Sequence, residues 1–295
     1  MEGLTRTGLQ VVANLRETGD MIAFKHTLFA LPFAVISLIT AATPRWPEAR
    51  VWLWVGVAMV SARTAAMAFN RLVDHAIDAR NPRTASRSLP AARLSRRFVW
   101  TITGASVVLF LFAAGQLNPL CLALAPATLA VLLGYSYAKR FTAASHLWLG
   151  LALGIAPVGA WIAVTGSLAW PPVVLAAGVC FWVAGFDVIY SLQDDVFDRE
   201  NGLHSLPARL GRKRALAAAR LSHLTAFTAF VAFALAAGGG TLRLVGVAAA
   251  GALLAMQHRL IAVDDLGSVN AAFFTANGTL SVLMCALFCF AKITG

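Results

Sequence analysis

Charge is scarce in this chain, and acidic charge scarcest of all. Only 13% of its 295 residues are Asp, Glu, Lys or Arg, against 59% hydrophobic. Soluble domains carry about 25% charged residues, so an apolar excess of this size has to face lipid. Cysteine is thin too: Cys121, Cys180, Cys285 and Cys289 all lie inside apolar runs. Cys285 and Cys289 are one helical turn apart, but no His or carboxylate accompanies them. That argues against zinc and for small apolar packing residues. No stretch between the apolar runs is long enough to be a second domain. Residues 1–23 lack the pattern of a cleavable signal peptide, because Glu2, Glu17 and Asp20 precede the first apolar run. The net charge is +11, yet few basic residues lie outside short loops between apolar runs. Nucleic acid is therefore not the expected partner; orientation in a bilayer and anion binding are.

What the chain has in abundance is long apolar runs. Nine are long enough, or nearly so, to cross a bilayer: 24–42, 51–69, 98–115, 117–138, 145–165, 171–192, 215–237, 242–261 and 269–291. The expectation is an all-α membrane protein, a single polytopic domain over 1–295 with nine transmembrane helices in one bundle over 24–291. Within residues 1–23, Leu9, Val12, Leu15 and Ile22 alternate with Arg16, Glu17 and Asp20, which suits an amphipathic segment lying on the membrane surface. With the N-terminus inside, the inner segments hold 18 Lys and Arg and the outer ones 4. This positive-inside bias places the N-terminus in the cytoplasm and the C-terminus outside. Arg259 counts among the inner residues and reads as purely topological.

That parity brings two acidic clusters to the same side. Asn70, Asp74 and Asp78 close the second run, and Asp194 and Asp198 close the sixth. A spacing of four drifts only about 40° per step, so each set shares one helix face. The four-span offset hints at a duplicated four-helix unit with a ninth helix added. Asp187 lies seven residues before Asp194, on its face and deeper in the run. Asp195, rotated by about 100°, reads as solvated or auxiliary, and His75 as loop-facing. The two long loops, 79–97 and 199–214, both follow acidic clusters and read as lids.

Carboxylates in a membrane segment are costly and normally line a cavity or find a partner. Asp74, Asp78, Asp194 and Asp198 offer the hard oxygen ligands that Mg²⁺ takes when it bridges protein to substrate phosphates. No His–Cys cluster points to a softer metal. Arg71, Arg83 and Arg87 flank the first cluster, and Lys139-Arg140 ends the fourth run on the same side. Tyr135 precedes Lys139 by one turn, so an ammonium and a phenol hydroxyl together could hold pyrophosphate oxygens.

Taken together, these residues resemble the UbiA superfamily of intramembrane aromatic prenyltransferases. Its N-x-x-x-D-x-x-x-D pattern is matched by Asn70, Asp74 and Asp78, and its later D-x-x-x-D by Asp194 and Asp198. A Y-x-x-x-K element is matched by Tyr135 and Lys139, and R-N-P-R-T-A-S-R-S-L-P resembles the family's basic loop. The resemblance covers about 25 to 290, with the motifs in family order. It is nearest to 4-hydroxybenzoate polyprenyltransferases and related quinone-pathway enzymes, through Lys25-His26-Thr27 and N-A-A-F-F-T-A-N-G at 270–278. Three departures stand out. Arg71 replaces a second Asp, Val196-Phe197 replace acidic residues inside the second motif, and Ser88 stands where the basic loop often has Pro.

The resemblance implies a cytoplasm-facing active-site cavity in a bacterial inner membrane, and Mg²⁺ held by the four aspartates on the pyrophosphate of a polyprenyl donor. It implies transfer to a hydroxylated aromatic acid, 4-hydroxybenzoate or a related dihydroxynaphthoate. Asn70 would orient a metal ligand or the pyrophosphate, and Asp187 would orient or deprotonate the phenol. Arg71, Arg83, Arg87, Tyr135 and Lys139 would bind substrate. The competing class is a cation- or proton-coupled transporter. Against it, the acidic clusters have no counterpart on the outer side, although Pro157 in the fifth run would suit a broken helix. A phosphatidyl-alcohol transferase is disfavoured because its D-G-x-x-A-R signature is absent.

Overall fold

The structure is a computed structural model that describes residues 17–19, 21, 27–261 and 275–294. The surface segment expected over 1–23 lies almost wholly outside these residues, as do Lys25-His26 and the first part of 270–278. Among the described residues every regular element is helical. The long helices are α1 (Thr27–Ala41), α2 (Ala49–Arg80), α3 (Arg96–Leu117), α4 (Pro119–Ala138), α5 (Ser145–Thr165) and α6 (Trp170–Ser191). Two short helices, α7 (Asp195–Glu200) and α8 (Leu206–Leu210), precede α9 (Arg212–Ala236), α10 (Thr241–Leu260) and α11 (Asn277–Thr294).

Eight of these segments are long and apolar enough to span a membrane, counting α6 and α7 as one. The first of the nine runs is represented by α1, of which 15 residues fall among those described. Side chains facing away from the bundle stay apolar, with Leu53, Val108 and Leu221 each more than half exposed, as lipid contact requires. Pro157 does not break α5, which runs on through it. The Pro157 carbonyl instead accepts a hydrogen bond from Ser37 Oγ at 2.6 Å, tying α1 to α5.

Neighbour order is the same in both halves. The run α2–α3–α4–α5 packs consecutively, and so does α6–α9–α10–α11. The halves meet at α5 and α6, while α1 bridges α11 and α5. Where helices come closest, glycine permits it. A Cβ at Gly150 of α5 would collide with the Cys180 carbonyl of α6, and one at Gly154 would lie 2.7 Å from the Ala176 carbonyl oxygen. Small residues are how membrane helices gain contact, since lipid supplies no hydrophobic drive between them. Gly150→Ala should therefore lower the thermal unfolding midpoint in detergent. Gly159→Ala, with nothing within 4 Å of its added methyl, should leave it unchanged or higher.

The core lies between α1, α6, α9 and α11. Phe33, Trp182, Phe186 and Phe230 are at most 2% exposed, and Phe33 stacks on Phe230 at 5.4 Å. The Trp182 indole N–H donates to Asn277 Oδ1 at 2.9 Å, so its one polar atom is satisfied. This rigid half supports one wall of the site; α2, α4 and α5 form the other.

Candidate functional site

Length carries the first motif beyond the apolar zone. The 32 residues of α2 span about 48 Å, against about 30 Å for a hydrocarbon core. Its helix continues through the whole of Asn70–Asp78 to Arg80, where the sequence placed a loop from residue 79. The second motif is built differently from expectation. α6 ends at Ser191, Leu192–Asp194 tightens into a 3₁₀ turn, and Asp198 sits on α7. Asp187, Asp194 and Asp198 therefore do not share one face of a continuous helix. All three nevertheless line the same cavity.

All the candidate residues line a single polar cavity of about 240 Å³. Asn70, Arg71, Asp74 and Asp78 reach it from α2, Arg83 and Arg87 from the following loop, and Tyr135 and Lys139 from the end of α4. Asp187, Asp194 and Asp198 close the other side. Directly beyond lies an apolar chamber of about 250 Å³ between α2, α3, α4 and α5. The two share Arg63, Met67, Asn70, Tyr135, Leu149 and Leu153 as wall residues, so the spaces adjoin.

Asp74, Asp78 and Asp194 are each balanced by a cation or an amide. Asn70 Nδ2 donates to Asp74 Oδ2 at 2.8 Å, and Arg140 approaches Asp74 Oδ1 at 3.4 Å. Arg87 donates to Asp78 Oδ1 at 2.7 Å, with Arg71 3.8 Å from the other oxygen. Arg83 grips Asp194 with two nitrogens, while its third donates to the Tyr190 hydroxyl at 3.0 Å. Burial works against the charge on Arg83, but the pairing with Asp194 outweighs it and raises its pKa. Asn81 Nδ2 also donates to Asp194, at 3.2 Å, so one loop locks onto the second motif. The ammonium of Lys139 is different. Among the described residues it has no hydrogen-bond or ion-pair partner, yet its charge acts on Asp74, Asp194 and Asp198.

Of the two readings of Asp195, solvated or auxiliary, the structure rules out the first. It is 5% exposed, not solvated, and Arg212 donates to its two oxygens at 2.9 and 3.0 Å. It anchors the start of α9 and lines neither cavity. His75 is half-buried within α2, not on a loop, and also lines neither.

The donor set fits a hard divalent cation. Asp78 Oδ2 and Asp198 Oδ2 are buried oxygens without a hydrogen-bond partner, which is costly unless something else satisfies them. Both belong to side chains that line the polar cavity. Among the described residues no three His, Cys, Asp or Glu side chains form one ready-made ion site. The aspartates stand as two pairs, one on α2 and one where α6 passes into α7.

Sequence reasoning passed over two residues. Arg63 sits seven residues before Asn70, inside an apolar run, and lines both spaces. A lone arginine in a membrane segment was the signal that would have found it. His146, the second residue of α5, is 1% exposed and bonds Asp187 Oδ2 through Nδ1 at 2.7 Å. No local pattern marks it, because its partner lies 41 residues away.

A family description reading "UbiA prenyltransferase family" matches residues 30–278. The 4-hydroxybenzoate octaprenyltransferase of Vibrio vulnificus is 29% identical over 276 residues, covering 92% of this chain and 93% of that protein. The chain spans between 40% and 93% of the length of the curated relatives it matches. Among solved structures, a UbiA homolog from Aeropyrum pernix K1 superposes with a TM-score of 0.82 at 34% identity, covering 90% of this chain and 98% of that one. A UbiA homolog from Archaeoglobus fulgidus bound to GPP and Mg²⁺ shares the fold, with a TM-score of 0.74 at 17% identity over 95% of this chain and all of that one. An all-helical bundle, two aspartate pairs on one polar cavity and a match over most of the sequence lead to one assignment: the chain belongs to the UbiA prenyltransferase family.

Proposed function

We propose that the protein transfers a polyprenyl group from polyprenyl pyrophosphate to a hydroxylated aromatic acid, 4-hydroxybenzoate or a related dihydroxynaphthoate, in a Mg²⁺-dependent reaction. The observation that carries this reading is the pairing of the two spaces. An acidic and basic cavity suits a metal-bound pyrophosphate, and the adjoining apolar chamber suits the hydrocarbon tail of the same molecule. The named relatives and the GPP- and Mg²⁺-bound homolog support the same chemistry. In this reading the chain is one membrane domain of nine spans, α1 included, in a bacterial inner membrane, with the cavity and N-terminus cytoplasmic and the C-terminus outside.

Asp74, Asp78, Asp194 and Asp198 are the residues that would hold Mg²⁺. Bound there, the metal supplies positive charge for the departing pyrophosphate. The chain's own cations do the rest of that work. Lys139 and Tyr135 hold pyrophosphate oxygens, and Arg83 and Arg87 screen the negative charge that grows as the allylic carbon–oxygen bond breaks. The bond's electron pair leaves with pyrophosphate. The allylic carbon then bonds to the ring carbon ortho to the phenol hydroxyl, and that ring carbon loses its proton. Met67, Leu149 and Leu153, the apolar part of the wall that the two spaces share, exclude water from the cation. Arg63 lines both spaces together with Asn70 and Tyr135, and in this reading it holds the acceptor's carboxylate, for which a bidentate guanidinium contact is the strong way. Asp187 takes the phenol proton.

The test is mass spectrometry of the full chain incubated with Mg²⁺, polyprenyl pyrophosphates of several lengths, and a panel of phenolic and naphthoic acids. Mg²⁺-dependent appearance of a prenylated acid is expected. Pyrophosphate release with none of the acids modified would sink the acceptor assignment. No pyrophosphate release, with cation flux into vesicles instead, would favour a transporter.

A further inference from the structure

Asp187 does not stand alone in the polar cavity. Its Oδ2 is bonded by Nδ1 of His146, and Nε2 of the same ring lies 3.2 Å from the backbone nitrogen of Leu206. A backbone N–H can only donate, so Nε2 must be the unprotonated nitrogen. The proton is therefore on Nδ1, and His146 is a neutral imidazole donating to Asp187. At 1% exposure the ring is shut off from solvent. Asp187 keeps 16% of its side-chain surface open and lines the cavity with Tyr135 and Asn70.

Leu206 opens α8, within the loop that follows the second motif. That loop is tied to the site at two further points. The His204 N–H donates to the Lys139 carbonyl at 2.7 Å, and Ser205, fully buried, bonds Asp198. One ring thus links this loop to the carboxylate on the acceptor side of the cavity.

We infer that His146 is a positioning residue that fixes Asp187 for proton removal from the acceptor, and that it does so only while the loop around Leu206 is seated. This rests on the reading of the protein as an aromatic prenyltransferase. The logic is that of an oriented histidine whose tautomer is set by the bond at its far nitrogen. Seating of Leu206 forces the proton onto Nδ1, and that proton turns the Asp187 carboxylate so that Oδ2 is engaged and its other oxygen serves the phenol. The phenol proton passes to this oxygen. When the ring carbon later loses its own proton, the phenol oxygen is reprotonated and one proton leaves overall with the products.

Three variants separate the two bonds. His146→Asn can reach only as far as Nδ1 did, so it keeps a donor for Asp187. His146→Gln can reach as far as Nε2 did, so it keeps an acceptor for the Leu206 N–H. His146→Ala keeps neither. Positioning contacts of this kind are worth about 10- to 100-fold in activity. His146→Ala should lose that much kcat for prenyl transfer, with the donor KM and Mg²⁺-dependent pyrophosphate release in the absence of acceptor little changed. His146→Asn should recover most of the lost kcat; His146→Gln should not. Hydrogen exchange read at the Leu206 amide should show the reverse order, with protection kept in the Gln variant and lost in the Ala and Asn variants. An unchanged kcat in His146→Ala would overturn the inference, as would recovery by Gln rather than Asn. A parallel loss of donor binding and transfer in all three would overturn it in favour of a structural role. Failure of the unmutated chain to prenylate any phenolic acid would instead overturn the functional reading beneath it.

Discussion

Asp194→Asn should lose about 100- to 1000-fold in kcat, the scale seen when one electrostatic contact to developing charge is removed. The substitution keeps the size of the side chain and its bond from Asn81, but removes half of the charge pair with Arg83. Asp74→Asn should behave alike, since it retains the neighbour Asn70 and loses only its charge. Asp195→Asn is the sharp contrast. Its carboxylate faces Arg212 and lines no cavity, so kcat should hold while the thermal unfolding midpoint falls. Steady-state kinetics and thermal melts on the same detergent preparations decide the matter. Equal losses of kcat at all three positions would mean that the division between site and scaffold is wrong.

Lys139→Ala should weaken polyprenyl pyrophosphate and free pyrophosphate alike. A charge-assisted hydrogen bond is worth about 1.5–3 kcal/mol, or roughly 10- to 150-fold in affinity. The reason to single it out is that it has no partner among the described residues. Arg71, Arg83, Arg87 and Arg140 already balance carboxylates, whereas the Lys139 ammonium sits in the field of three aspartates and bonds to none. Acceptor affinity should change little. Arg259, exposed at the end of α10, is the control, because a residue that serves topology alone tolerates the same truncation. Isothermal titration with pyrophosphate in the presence of Mg²⁺ measures both. Equal affinities for Lys139→Ala and the unmutated chain would leave Arg83, Arg87 and the metals to hold the donor.

The site was legible in the sequence wherever chemistry and membrane topology coincide. Asp74 and Asp194 stand out because carboxylates at the ends of apolar runs need a reason, and parity of the spans put them on one side. Periodicity gave less at the second motif. Nothing in Y-S-L-Q-D-D-V-F-D announces a 3₁₀ turn at Leu192–Asp194. The misreading of Asp195 has the same origin. A rotation of about 100° removes a side chain from one helix face but does not say what lies on the next. Here it is Arg212, brought back by the loop and α8. His146 could not be found at all, because both its partners are distant in sequence and its neighbours Ser145 and Leu147 are unremarkable.

The central claim is that one donor molecule occupies both spaces, its pyrophosphate in the polar cavity and its tail in the apolar chamber. Titration of the full chain with a non-cleavable polyprenyl diphosphonate measures this directly, run with Mg²⁺, with chelator, and against free pyrophosphate and the corresponding prenyl alcohol. The predicted result is tight binding that needs both Mg²⁺ and the tail, with pyrophosphate and the alcohol each binding far more weakly. Affinity unchanged by chelator, or equal for pyrophosphate with and without its tail, would contradict it.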